Sequence, residues 1–249
     1  SDLYIGVVGP VRTGKSTFIK RFMDVAVLPY MEDAAQKTRA QDELPQSAGG
    51  RTITTTEPKF IPQEAVELKL AGEVTIRVRL VDCVGFMVEG AAGHLEDGAE
   101  RLVKTPWYDH EIPFTQAAEL GTRKVITDHS TIGVVVTTDG SFSDLPQETY
   151  LDAENQAISE LKKLHKPFLV LVNSSHPSSR TAREAAERIE KQHSVAAMPV
   201  NCAQLSEEDI RQIMEQILYE FPVSRVEFYM PKWVEMLPFS HPLKTRSEE

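Results

Sequence analysis

Three separated stretches of this 249-residue chain carry residue types in spacings suited to phosphate chemistry. The first is Gly9-Pro10-Val11-Arg12-Thr13-Gly14-Lys15-Ser16-Thr17, which fits G-x-x-x-x-G-K-[ST]. Gly9 and Gly14 omit side chains where a backbone must curl, so that successive amide N–H groups point inward at a polyphosphate. Lys15 would reach the β and γ oxygens as a flexible cation. Ser16 would place its hydroxyl on a Mg²⁺ ion, with Thr17 beside it as a helper. The apolar run before this loop and the helical pattern through Phe18, Ile19 and Phe22 after it supply strand, loop and helix in the required order.

The second stretch is Arg51-Thr-Ile-Thr-Thr-Thr-Glu57. Thr54, Thr55 and Thr56 are candidates for a switch threonine that senses γ-phosphate and metal, with Thr55 and Thr56 favoured and Thr55 the metal-side residue. The third is Val74-Thr-Ile-Arg-Val-Arg-Leu-Val-Asp82, then Cys83-Val84-Gly85. An apolar strand ending in Asp, followed two residues on by Gly, is a D-x-x-G pattern. Asp82 would hold Mg²⁺ through water and the Gly85 amide would meet the γ-phosphate. Phe86 follows, where Ras-like GTPases carry a glutamine that orients the attacking water, so another group must take that part. Arg12 either offsets transition-state charge or is an ordinary solvent-facing or packing residue.

Positioning these groups requires a sheet. Strand patterns at 3–8, 59–70, 74–82, 131–137, 167–172 and 195–200 alternate with helical ones, and residues 59–82 read as an edge β-hairpin with Ala71-Gly72-Glu73 at its turn. Helices are expected to open at Thr149 with Asp152, Thr181 with Glu184, and Ser206 with Asp209. The polar stretch 31–50 has no clean period. Residues 87–130 form a long connection carrying Trp107-Tyr108, read as core or as an interaction surface, and a helix from Pro113 to about Asp128. The fold class is α/β: a P-loop NTPase of the translation-factor-like GTPase type, with a mainly parallel sheet, an antiparallel edge hairpin and helices on both faces. Residues 1–221 form that domain, and 222–249 read as the truncated start of a following one.

A net charge of −10 argues against a broad grip on nucleic acid. The two cysteines, Cys83 and Cys202, make no metal or disulfide signature and suggest a reduced, cytoplasmic setting, and the seven histidines do not cluster. No transmembrane run or signal peptide is visible. Beginning at Ser1 without methionine, almost directly on a strand, the chain reads as a piece of a longer protein.

Guanine-specific relatives of this fold end the next strand in N-K-x-D, whose aspartate pairs with the base. Here the place reads Asn173-Ser174-Ser175-His176, and the later S-A-K-like position reads Asn201-Cys202-Ala203-Gln204. Asn173 remains as a nucleotide-binding candidate. Without the carboxylate the site loses its guanine discrimination, which favours ATP. A GTP-dependent switch and a structural protein with a poorly hydrolysing site are the alternatives.

Taken together, GPVRTGKST, GRTITTTEP and LVDCVGF resemble the family of spore-coat morphogenetic ATPases descended from TRAFAC-class GTPases. The resemblance covers nearly the whole chain, as the N-terminal ATPase region. It implies Mg²⁺-dependent ATP hydrolysis that drives self-association into polymers forming the basement layer of the coat. It further implies a mother-cell cytoplasmic location at the outer forespore membrane. The implied partners are a small amphipathic membrane-bound sporulation peptide and other coat proteins. Residue by residue, it carries over Lys15 and Ser16, Thr55 and Thr56, and Asp82.

Overall fold

The computed structural model describes residues 2–31, 33–45, 56–69, 75–91, 95–96, 99–143 and 145–220. Thr54, Thr55, the hairpin turn at 71–73 and the stretch 222–249 lie outside these residues.

The first strand, β1 (Asp2–Val8), enters the loop 9–14, and α1 (Lys15–Phe22) leaves it. That helix continues as a π-turn over Met23–Val27 and a 3-10 turn over Leu28–Tyr30. A helix, α2 (Ala34–Asp42), then occupies part of the polar stretch that showed no period. Ala40 is its one buried residue, so no apolar stripe marks it. Its start is set by Asp33, whose side chain accepts from the Ala35 and Gln36 amides. The hairpin follows as β2 (Lys59–Lys69) and β3 (Thr75–Asp82), paired antiparallel with an irregularity between Ile61 and Val66. Pro62 is tolerated because β2 is an edge strand.

The long connection holds two small antiparallel pairs absent from the sequence reading. They are β4 (Leu95–Glu96) with β5 (Ala99–Glu100), and β6 (Leu102–Thr105) with β7 (Tyr108–Pro113). Helix α3 (Phe114–Lys124) and a π-turn over Val125–His129 complete it, close to the expected bounds. Trp107 is half-buried and Tyr108 exposed. The remaining described elements are β8 (Ile132–Thr138), α4 (Leu151–Lys163), β9 (Phe168–Asn173), α5 (Arg180–His193), β10 (Ala197–Val200) and α6 (Glu207–Tyr219).

Two of the expected helix starts are corrected. A 3-10 turn over Gln147–Tyr150, entered from Pro146, precedes α4, so Thr149 lies before the helix and caps nothing. At α5 the cap is Ser179, which accepts from the Ala182 amide, and Thr181 is already inside the first turn. The Ser206–Asp209 capping box of α6 forms as read.

The strands form one six-stranded sheet in the order β10-β9-β8-β1-β3-β2, parallel except at β2–β3. Both faces are apolar, and successive strand residues supply opposite cores. Val7, Leu80, Val134 and Leu169 pack with α1 and α6, while Val8, Val81, Val135 and Val170 pack with α4 and α5. One charge is buried in the second layer: Glu154 of α4 accepts from Thr137 of β8 at 2.6 Å and from Arg188 of α5 at 2.8 Å. This network satisfies the carboxylate and ties three elements together. The strand β1 lies between β3 and β8, with connections leaving to opposite sides. That is the crevice where open α/β sheets bind ligands, at the carboxyl ends of the strands.

Candidate active site

The expected phosphate loop lies in that crevice. Gly9 and Gly14 have φ of 131° and 102°, and Arg12 between them has φ of 61°, a left-handed turn at the exposed crest of the loop. The Thr13 hydroxyl lies 2.6 Å from the Val136 carbonyl and 3.0 Å from that of Pro10, which pins the loop to β8. Pro10 and Val11 are buried. Gly14 directly precedes α1, so Lys15, Ser16 and Thr17 are the first three residues of the helix, at its positive end.

Lys15 is buried beneath the loop, with its Nζ 2.5 Å from the Pro10 carbonyl. Burial lowers its pKa, and Asp82 is among the groups opposing that shift. A buried ammonium with one carbonyl acceptor is electrostatically costly unless an anion completes its environment. Asp82 ends β3 opposite Val7, and its Oδ2 is 3.4 Å from the Ser16 hydroxyl. Burial pushes the Asp82 carboxyl up to about 6, while the Lys15 charge, the Cys83 amide and the Ser16 hydroxyl pull it down. Cys83 is a buried thiol raised to about 12 by the same burial, which leaves it neutral.

A hydroxyl and one carboxylate, both hard oxygen donors, suit Mg²⁺, which keeps several waters and takes phosphate oxygens. Among the described residues, no group of three or more His, Cys, Asp or Glu could hold a metal ion.

Phe86, at the position of the Ras-like glutamine, is fully buried in the second core. Its backbone pairs with the loop: its amide donates to Gly9 at 2.9 Å and its carbonyl accepts from Val11 at 2.9 Å. The segment after Asp82 is thus stapled to the phosphate loop, and Gly85 is pressed between them. A β-carbon at Gly85 would lie 2.5 Å from the Gly9 carbonyl oxygen and 2.6 Å from Lys15 Nζ, at a φ of +105°.

Asn173 ends β9 and uses both ends of its amide within the protein. Nδ2 donates to the Thr13 carbonyl at 2.9 Å, and Oδ1 accepts from the Cys202 amide at 3.0 Å. It therefore braces the loop against the turn after β10. His176 is exposed, with its amide donating to Ser174 Oγ. Beside it a cavity of about 410 Å³ is lined by Asp139, Ser141, Gln147 and Ser179 among others.

The geometry adds two residues that the sequence did not single out, both on α3. Thr122 Oγ1 accepts the Gly85 amide at 3.0 Å. Gly121 abuts the switch segment, where a β-carbon would start 2.2 Å from the Thr56 carbonyl oxygen. Neither has a spacing signal, because each contact crosses from a helix to a distant loop. Thr56 is buried there. Gly121→Ala tests this contact cleanly. Helix propensity alone would stabilise the variant by about 1 kcal/mol, whereas the backbone approach predicts a lowered melting midpoint. A raised midpoint would show that α3 does not rest on Thr56.

Residues 1–222 match the family model described as stage IV sporulation protein A, ATPase domain. The chain belongs to that family. It is 49% identical over 244 residues to stage IV sporulation protein A of Clostridioides difficile (strain 630), covering 98% of this chain and 50% of the relative. It is 45% identical over 248 residues to the same-named protein of Bacillus subtilis (strain 168), covering 100% of this chain and 50% of that relative. The chain thus spans about half the length of the curated relatives it matches. As a stage IV sporulation protein A ATPase domain it is a nucleotide-binding, ATP-hydrolysing unit of a sporulation protein. No described helix is long and apolar enough to cross a membrane.

Proposed function

We propose that this domain binds Mg²⁺·ATP in the crevice above β1 and hydrolyses it by in-line attack of water on the γ-phosphorus. The reading rests chiefly on Lys15, a buried ammonium beneath the loop and near the Asp82 carboxylate. The amides of the loop and the start of α1 would hold the phosphate tail, and Lys15 would neutralise charge growing on the β–γ bridge. Ser16 and Asp82 would hold the metal, with Thr55 or Thr56 approaching from the switch. When bound, Mg²⁺ would supply charge neutralisation on the phosphate oxygens. Phe86 is packed in the core and takes no part in orienting water.

Adenine is admitted because His176 stands where a guanine-pairing carboxylate would be, which removes the acceptor for guanine's N–H donors. Hydrolysis would drive self-association of the longer protein into polymers of the spore-coat basement layer. The proposed setting is the mother-cell side of the outer forespore membrane, with an amphipathic sporulation peptide and other coat proteins as partners.

Competition of ATP and GTP for the chain, with phosphate release measured with and without Mg²⁺, tests the reading. ATP should compete at least as well as GTP, and release should need the metal. GTP held far more tightly would overturn the base assignment. ATP binding without Mg²⁺-dependent release would favour the second reading, a nucleotide-binding structural protein, for which Phe86 in the glutamine position is the motive.

A further inference from the structure

The Gly85 amide is assigned to the γ-phosphate by the D-x-x-G reading, yet it is already donated to Thr122 Oγ1 at 3.0 Å. Thr122 is fully buried, and its own hydroxyl donates to the Ala118 carbonyl one helical turn back at 2.8 Å. Its oxygen thus accepts the Gly85 amide while its proton is held by Ala118, with the Cys83 thiol beside both groups as a weaker, sulfur partner. One N–H cannot serve two acceptors at full strength. The neighbouring Gly121 abuts the Thr56 carbonyl, so a single turn of α3 contacts both segments expected to meet the γ-phosphate. The same helix is anchored outward: the Phe114 amide donates to Arg101 at 2.8 Å, and the Arg101 guanidinium sits 4.4 Å from the centre of the Phe114 ring. Trp107, in the β6–β7 turn, lies over Gly121.

We propose that Thr122 is a positioning residue that competes with the γ-phosphate for the Gly85 amide and so sets the preference of the site for ATP over ADP. The proposal rests on the reading of the 9–17 loop as the ATP site. ADP lacks the competing oxygens and leaves the Thr122–Gly85 bond intact. ATP must take the amide from Thr122, and the strength of that bond is subtracted from ATP affinity alone. The exchange moves the Gly85 peptide relative to α3, and the Thr56 contact lies on the adjacent residue. One helical turn thereby registers the third phosphate from two sides.

The test is Thr122→Val, which keeps the shape and removes the acceptor, with Thr122→Ser as the conservative control. Affinities for ADP and for a non-hydrolysable ATP analogue are measured by displacement of a fluorescent nucleotide in the presence of Mg²⁺. In Thr122→Val the Gly85 amide loses its hydroxyl acceptor and keeps only the weakly accepting Cys83 sulfur, so the γ-phosphate no longer displaces a strong partner. The analogue-to-ADP affinity ratio should therefore rise about fivefold or more, with ADP affinity within about twofold of wild type. Thr122→Ser should keep the wild-type ratio. Should Thr122→Val fail to fold, Thr122→Ala removes the same oxygen in a better helix former and is read the same way. A ratio that is unmoved, or that falls, in a variant that still binds ADP overturns the competition and leaves the ATP-site reading standing. Wild-type protein that binds neither nucleotide overturns both.

Discussion

Replacing Lys15 with alanine will lower ATP affinity about 100-fold, the value of a charge-assisted contact to a phosphate in a partly desolvated site. The melting midpoint of the nucleotide-free protein will stay within a few degrees of wild type. The two outcomes belong together. Lys15 is buried, its pKa is lowered by that burial, and it donates to the Pro10 carbonyl. A cation so placed contributes little to the fold relative to what its desolvation costs, so removing it should leave stability nearly level. Isothermal titration with ATP and a thermal melt, run on one preparation, check the pair. Retained ATP affinity would remove Lys15 from the site. A large fall in the midpoint would make it a structural residue.

Asp82→Asn should separate activity from stability in the opposite direction. Mg²⁺-dependent phosphate release should fall about 100-fold or more, because the amide cannot replace a carboxylate facing the metal. The melting midpoint at neutral pH should rise. The Asp82 carboxyl is pushed up to about 6 from the usual 3.8, first by burial. The folded protein therefore keeps a proton between these values that the unfolded chain has already released. Stability from this group falls as pH rises through that window, and the deficit persists above it. The variant escapes the deficit, so its advantage should be full above about pH 6 and vanish below about pH 4. Melts across that range check the sign. An advantage that grows toward acid would refute the assignment of cause. The same proton should weaken metal-dependent ATP binding in wild type as pH drops below 6.

Much of this molecule was legible because its determinants are local. The strand, loop and helix around Gly9–Ser16 follow from two glycines, a lysine and a hydroxyl at set spacing. The alternation of apolar runs fixes a mostly parallel sheet with the 59–82 hairpin at its edge. The Ser206–Asp209 cap depends on residues three apart, and it formed as read. Where local signals are weak or in competition, the structure departs from the sequence expectation. The helix α2 has no apolar stripe and so no period, and Pro146 and Ser179 outweighed Thr149 and Thr181 at the starts of α4 and α5.

The place of Asn173 at the end of β9 suggests a nucleotide contact. Folding shows the cost of leaving its amide unbonded being met inside the protein, by Thr13 and Cys202. The amino-acid sequence by itself determined which groups could meet a phosphate, and that His176 stands where the guanine-selecting N-K-x-D motif has its acid. Only the tertiary structure decided that Phe86 belongs to the core and that Gly85 is held by Thr122. Residues 37 apart in the chain meet there because α3 packs under the loop, and no periodicity records a contact made once, between two elements, at a single peptide.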